Sequence, residues 1–213
     1  MIRGLYTAAS GMNAALKRNN VISNNLANVN TTGYKKDTAI EKSFAEEIMH
    51  RIDSEVTSVG KSGSGVAVSE TASDYSIGNL KQTDDNLDWS IEGSGFFAVE
   101  TPQGVRYTRN GDFKLNNRNQ VVTSNGHLVR GQQGILQVPP QTEQISVENN
   151  NLVADGQVVN TIEVMDFANK SGLVKEGNTL FKSNPNAGQS FRAESKIKQG
   201  FLEQSNVNPV QEM

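Results

Sequence analysis

The 213-residue chain has no cysteine, which excludes disulfides, thiolate nucleophiles and cysteine-based zinc sites. Its two histidines, His50 and His127, are too few for a histidine metal cluster or an acid–base pair. One tryptophan and 6% aromatic residues leave no aromatic-laced basic patch of the kind that grips nucleic acid. The nearest approach is Lys35-Lys36 beside Tyr34, and two lysines after a turn read as ordinary surface. A net charge of −3 gives no long-range pull toward nucleic acid or anionic membranes. No run approaches the roughly 20 apolar residues that cross a bilayer, so no membrane insertion is expected. Met1-Ile2-Arg3-Gly4-Leu5-Tyr6 lacks the basic flank and apolar stretch of a secretory signal. The chain is expected to stay in the cytoplasm or to leave by a route that reads no cleaved peptide.

Catalytic and cofactor motifs are missing as well. Asp84, Asp85 and Asp88 with Asn86 lack the alternating acids, central glycine and distant glutamate of an EF-hand loop, and an acidic turn explains them. Gly60-Lys61-Ser62 resembles the end of a phosphate loop, but Glu55 stands where that motif needs glycine. Gly93-Ser94-Gly95 runs into the strand-like Phe96-Phe97-Ala98-Val99 and not into a helix, so it is no dinucleotide fingerprint. Gly-x-Ser-x-Gly occurs nowhere. No catalytic residue, metal or cofactor is expected.

What is present begins with a helix. Ile2, Leu5, Ala9, Met12 and Leu16 are spaced 3, 4, 3 and 4 apart, the a/d rhythm of a coiled coil, and Ile22 and Leu26 continue the apolar edge past Arg18-Asn19-Asn20. The same spacing fits an ordinary amphipathic helix on a core. Its other face carries Ala, Ser, Asn and Thr with little charge, which predicts contact on more than one side. Alone, so Asn-rich a helix is marginal in water and needs a partner. Asn28-Val29-Asn30-Thr31-Thr32-Gly33 ends it. A second short helix is expected from Ile40, Phe44, Ile48 and Ile52, then a flexible joint over residues 58–65.

From about Val66 the apolar period becomes 2, as in Leu87, Trp89 and Ile91. Asn110-Gly111, Asn125-Gly126 and Asp155-Gly156 each sit between β-prone runs and read as two-residue hairpin turns. Ile162, Val164 and Phe167 add a strand, and Phe191, Ala193, Ser195 and Ile197 a last one. At the end Asn208 is the expected N-cap, Pro209 the first helical residue and Gln211 the capping-box partner. The fold class is thus mainly β with α: an antiparallel β-domain, an N-terminal coiled-coil-type helix and a short second helix. The expected divisions are residues 1–34 (helix and turn), 35–65 (short helix and joint), 66–200 (β-domain) and 201–213 (start of a C-terminal helical segment).

The stretch from Val21 to Lys35 carries Asn24, Asn25, Leu26, Ala27 and Asn28, then Thr31-Thr32-Gly33-Tyr34-Lys35. It resembles the N-terminal signature of the axial proteins of the bacterial flagellum. Gly78–Thr83 with Ile91–Phe97, Tyr107–Phe113 and Gly200–Asn208 are similar to further segments of that family, in family order, and the N-terminus looks most like the rod proteins. The resemblance implies a structural subunit of the flagellar basal-body rod that assembles into a torque-transmitting helical tube, with itself and other rod or hook proteins as partners. It also implies export through the flagellar type III apparatus to the basal body, across the periplasm or cell wall. In that family the chain continues after the Glu-Met pair into a helix that pairs with the N-terminal one. That helix is absent from this sequence, so the stripe of Ile2, Leu5, Ala9, Met12, Leu16, Ile22 and Leu26 is expected to await a partner. Against this stand a hook-type or other axial protein and a soluble β-domain binding module with a ligand-responsive melting temperature. A wall hydrolase would need paired carboxylates in a cleft, and Asp84, Asp85 and Glu92 offer nothing beyond charge.

Overall fold

In the computed structural model, residues 2–43, 47–52, 56–62 and 65–212 are described, with side chains described for residues 4–43 and 65–212. The chain divides into two compact units. One holds the N-terminal helix with residues 37–74, and the other holds residues 28–36 with 75–211.

In the first unit α1 spans Ile2–Ala27. It is followed by β1 (Asp37–Ser43), β2 (Glu47–Ile52), β3 (Val56–Ser62) and β4 (Val66–Ser73). β1 pairs antiparallel with β4 and β2 with β3. The helix expected over Ile40, Ile48 and Ile52 is therefore corrected to two strands, while Phe44 lies outside the described residues. A step of four residues is two periods of a strand as well as about one turn of a helix, so that spacing fits both. The β-branched return run Val56, Thr57, Val59, Val66 and Val68 supplies the pairing that decides for strands. The expected flexible joint is likewise strand through Ser62, and Gly63 and Ser64 lie outside the described residues.

α1 turns its small face toward this ribbon. Ala14 and Asn25 are buried, and Ser10, Val21 and Ile22 are half-buried. The Val66 amide donates to Ser10 Oγ at 3.4 Å. Asn25 holds the first residue of β1 by both backbone groups. Its Nδ2 donates to Asp37 O at 2.8 Å, and its Oδ1 accepts from Asp37 N at 3.0 Å. A neighbouring strand would make the same two bonds, so Asn25 joins the end of α1 to the ribbon.

The second unit is antiparallel β throughout. Its strands are β5 (Leu80–Gln82), β6 (Trp89–Glu92), β7 (Phe96–Thr101), β8 (Gly104–Thr108), β9 (Phe113–Leu115), β10 (Val121–Thr123) and β11 (Leu128–Gly131). Next come β12 (Gly134–Ile135), β13 (Ile145–Glu148), β14 (Asn151–Ala154), β15 (Gln157–Thr161) and β16 (Val164–Phe167). The series ends with β17 (Leu173–Glu176), β18 (Leu180–Ser183), β19 (Ser190–Arg192), β20 (Lys196–Gln199) and β21 (Phe201–Glu203). A ten-stranded sheet follows the path β17-β18-β8-β7-β11-β10-β9, with β12 beside β11, and β16 between β7 and β19. β13-β14-β15, β20-β6 and β21-β5 form smaller sheets.

β7 lies at the centre, and both of its faces are covered. Successive side chains of a strand point to opposite sides. Phe97 and Val99 join Trp89, Phe113, Leu136 and Leu152 in the larger core, while Phe96 joins Phe167, Leu173 and Phe181 in a second. Phe113 meets Trp89 and Phe97 edge-on at centroid distances of 5.2 and 5.1 Å. Burying both faces accounts for the continuous apolar run Phe96–Val99, where a half-solvated strand would alternate.

The three dipeptide turns divide. Asp155 and Gly156 have φ of 48° and 80° and join β14 to β15, the type I′ arrangement that the pair predicts. Asn125-Gly126 lies in a four-residue connection, 124–127, between β10 and β11 and is not a two-residue turn: Gly126 has φ 82° while Asn125 is not left-handed. Asn110-Gly111 is no hairpin turn, because β8 pairs with β7 and β18 while β9 pairs with β10. There Asn110 Oδ1 accepts from Asp112 N at 2.9 Å, and Trp89 N donates to Gly111 O at 3.0 Å. A Cβ on Gly111 would lie 1.6 Å from Trp89 O, so glycine is needed for space. The last expected strand is interrupted: Phe191 belongs to β19, Ile197 to β20, and Ala193 and Ser195 lie between. α2 (Pro209–Glu212) begins as the sequence predicts, with Asn208 Oδ1 accepting from Val210 N at 3.0 Å.

Buried Asp166 gives the β-domain an acid-sensitive point. Burial alone pushes its carboxyl up, but hydrogen bonds from Ser94, the Phe167 amide and Lys170, together with the Lys170 charge, outweigh it and hold the group below the usual aspartate value. A depressed carboxyl stabilises the fold above its unfolded pKa of about 3.9 and loses that contribution as pH falls through the folded value. Urea unfolding of Asp166→Asn against the parent should therefore give a stability gap that is full at pH 6 and narrows below about pH 4. A gap independent of pH contradicts this.

Candidate functional site

The family-like segments of the second unit converge on one buried carboxylate. Glu203, at the end of β21, is fully enclosed. Its Oε1 accepts from Lys35 Nζ at 2.5 Å and from the Gly78 amide at 3.0 Å, and its Oε2 accepts from Arg109 Nη1 at 3.2 Å. The two cations are enclosed too, Lys35 completely and Arg109 to 3% exposure. Lys35 comes from the N-terminal signature, Gly78 from the segment before β5, Arg109 from the loop after β8 and Glu203 from the Gly200–Asn208 segment.

The cluster also satisfies backbone groups that burial would otherwise orphan. Lys35 Nζ donates to Ser76 O at 2.6 Å, and Arg109 donates to Ile91 O and Gly93 O at 3.4 and 2.7 Å. Burial pulls the Arg109 guanidinium below its ordinary value, and Glu203 opposes that shift. Arginine nonetheless remains charged at any physiological pH. The guanidinium also lies 5.5 Å from the Phe96 ring centroid. The sequence-based view of Lys35 as ordinary surface is thus corrected: its ammonium is an interior group with a carboxylate partner.

The rest of the signature turn docks beside it. Gly33 N donates to Glu203 O at 2.7 Å, and Lys36 N donates to Asn206 Oδ1 at 2.7 Å. Tyr34 is buried under Lys175, whose Nζ lies 3.7 Å from the ring centroid and donates to Lys35 O. Asn28 is buried and accepts from Thr31 N at 3.0 Å through its carbonyl, closing the turn. Gly33 has φ +68°, and an added Cβ would fall 2.3 Å from Asn110 N. Gly33→Ala should therefore cost more than the ~1–2 kcal/mol of the left-handed conformation alone, because backbone blocks the methyl. Thermal unfolding checks this, and an unchanged melting temperature contradicts it.

In the first unit Leu5, Met12 and Leu16 of the expected seam are 72%, 64% and 61% exposed, with Ala9 exposed, Leu26 exposed and Ile22 half-buried. The side chain of Ile2 lies outside the described residues. Of the signature residues on α1, Asn25 binds β1 as above, whereas Asn24 and Ala27 are exposed. The structure thus separates two faces of α1, a small one on the ribbon and an apolar one toward solvent.

Other sequence candidates form no site. Asp85 Oδ1 accepts from Leu87 N at 2.9 Å and Asp84 Oδ1 from Gln82 Nε2 at 2.7 Å, which is turn-making chemistry. His127 is half-buried beside its turn, and the side chain of His50 lies outside the described residues. Among the described residues no group of three or more His, Asp or Glu side chains is placed to hold a metal. None of their helices is long and apolar enough to cross a membrane.

Comparison with known proteins follows the same segments. Residues 5–35 match the flagella basal body rod protein family, residues 90–160 the flagellar hook protein FlgE/F/G D1 domain, and residues 198–213 the flagellar basal body rod FlgEFG protein C-terminal family. The flagellar basal-body rod protein FlgG of Buchnera aphidicola subsp. Schizaphis graminum is 32% identical over the whole of this chain, which covers 88% of that relative. FlgG of Bacillus subtilis is also 32% identical with the same coverage, and FlgG of Caulobacter vibrioides 33%. The chain belongs to the flagellar basal-body rod protein family, as a structural subunit of the flagellar basal body.

Proposed function

We propose that this subunit builds the rod by burying the apolar stripe of α1 (Ile2, Leu5, Ala9, Met12, Leu16, Ile22 and Leu26) against helices of neighbouring axial proteins, including further copies of itself. The observation that carries this reading is the exposure of Leu5, Met12 and Leu16 along a helix whose opposite face is already occupied. A soluble monomer gains nothing from leaving such a stripe in water, whereas an assembling subunit buries it. Contacts repeated by a screw operation join two unlike surfaces and grow into a tube rather than closing. Torque would then pass along the packed helices. The signature residues Asn24, Asn25, Leu26, Ala27, Asn28, Gly33 and Tyr34 serve both units: Asn25 holds the ribbon within the helical unit, and Asn28, Gly33 and Tyr34 anchor the turn within the β-domain. Export through the flagellar type III apparatus, no catalytic role and no cofactor complete the reading. Deleting the gene in its own bacterium tests it. Basal bodies isolated from the deletion strain should lack a complete rod and regain it with the wild-type gene. Complete rods without the gene would rule the reading out.

A further inference from the structure

Only part of the signature turn is engaged in contacts inside the β-domain. Asn28, Gly33, Tyr34 and Lys35 pack or bond inward. Val29, Asn30 and Thr32 instead form one wall of a cavity of about 300 Å³, opposite Lys81 of β5, Leu202 of β21 and Gln204 just after it. Lys81 and Leu202 are partners across the β5–β21 pair, so their side chains share a face. Glu203 leaves β21 on the other face, which keeps this cavity apart from the buried ion cluster. Val29 and Leu202 are half-buried, whereas Asn30, Lys81 and Gln204 are exposed. Among the described residues the side chains of Asn30, Thr32, Lys81 and Gln204 make no hydrogen bond or ion pair. Lys81 is the single charged residue of the lining. Asp84, the next carboxylate along the chain, accepts from Gln82 Nε2, and Gln82 leaves β5 on the face opposite Lys81. The group that fits this lining is negative, small and rich in acceptors. A carboxylate meets all three conditions.

We propose that the cavity is an assembly socket, which receives an aspartate or glutamate side chain of a second copy of this chain. An exposed ion pair contributes little on its own, so a free carboxylate would be held only weakly. A carboxylate carried by a subunit that is already docked arrives at high effective concentration, and the pairing then fixes register rather than supplying the affinity. Symmetry and charge argue for a second copy as its source. A contact repeated by a screw operation joins a socket on each copy to an unlike surface of the next. That surface must carry an unpaired carboxylate, and the chain has 23 acidic residues against 20 basic ones. In the β-domain Glu100, Glu143, Glu148 and Glu194 are exposed and in no ion pair among the described residues. The socket rests on the reading of this subunit as a rod builder and is independent of the α1 stripe.

Carbodiimide coupling tests it, because the reagent joins an ammonium to a touching carboxylate as an amide, with loss of water. Intact basal bodies and the purified subunit at low concentration are treated alike, digested and compared by mass spectrometry. In basal bodies Lys81 should be joined to an aspartate or glutamate peptide of this same chain, and the purified subunit should lack that product. A Lys81 product with another protein overturns the choice of a second copy. No Lys81 product in basal bodies, or the same product in the purified subunit, overturns the socket. In the gene-deletion strain Lys81→Glu should restore fewer than about one-tenth of the complete rods that the wild-type gene restores, because it sets like charges face to face, while Lys81→Arg restores nearly all. The purified Lys81→Glu subunit should melt within about 1 °C of the parent, since Lys81 is exposed and unpaired. Full restoration by Lys81→Glu sinks the socket and leaves the rod reading intact. That reading fails separately, if the deletion strain already builds complete rods.

Discussion

Glu203→Ala should be among the most damaging single substitutions in the chain, lowering stability by about 3–5 kcal/mol. The side chain is fully buried and is the carboxylate that both Lys35 and Arg109 meet, so its removal takes that counter-charge from two buried cations and leaves the Gly78 amide without its acceptor. For a chain of this length that loss corresponds to a melting temperature lower by on the order of 10 °C. Thermal unfolding followed by circular dichroism measures it. The size of the effect lies in the buried charges left behind rather than in the attraction within the pair. A drop of 1 °C or less would mean that water reaches the cluster and that its charges are not enclosed.

Leu16→Asp should do the reverse, sparing the fold and destroying assembly. Leu16 is 61% exposed on α1, so the change removes little buried area within the subunit and should shift its stability by less than about 0.5 kcal/mol. In the rod the same position would face a neighbouring helix, where an unpaired carboxylate is strongly unfavourable. Cells carrying Leu16→Asp should be non-motile and assemble no complete rods, with the subunit present at normal levels. Leu16→Met keeps volume and hydrophobicity and should be close to wild type. Normal swarming by the aspartate variant would show that the stripe is not an assembly surface.

The parts of the molecule that declare themselves in sequence are those set by local rules. Asp155-Gly156 reads directly as a hairpin because both residues tolerate positive φ, and Asn208-Pro209 reads as a helix start because each residue has one dominant role there. Ile40, Ile48 and Ile52 mislead because their spacing suits helix and strand alike, and only pairing with residues 56–73 chooses between them. Asn110-Gly111 misleads for another reason: its glycine answers to the Trp89 backbone and not to a turn. The Glu203 cluster is illegible locally, since a Lys-Lys pair after a turn and a lone glutamate near the C-terminus look like surface. The sequence does hold one signal of it: three of the family-like segments each carry one charged residue of the cluster. The apolar stripe of α1 is legible as a 3-4 rhythm, but the rhythm alone leaves open whether it faces a core or a partner.

Because the chain has no native cysteine, the central claim is directly measurable: Met12→Cys introduces a unique thiol into the middle of the α1 stripe. The purified subunit should react readily with maleimide at this position, which is 64% exposed for the native methionine. In basal bodies isolated from motile cells carrying the same variant, the thiol should be protected until the particles are denatured. Equal labelling of the subunit and of intact basal bodies would contradict burial of the stripe in the rod.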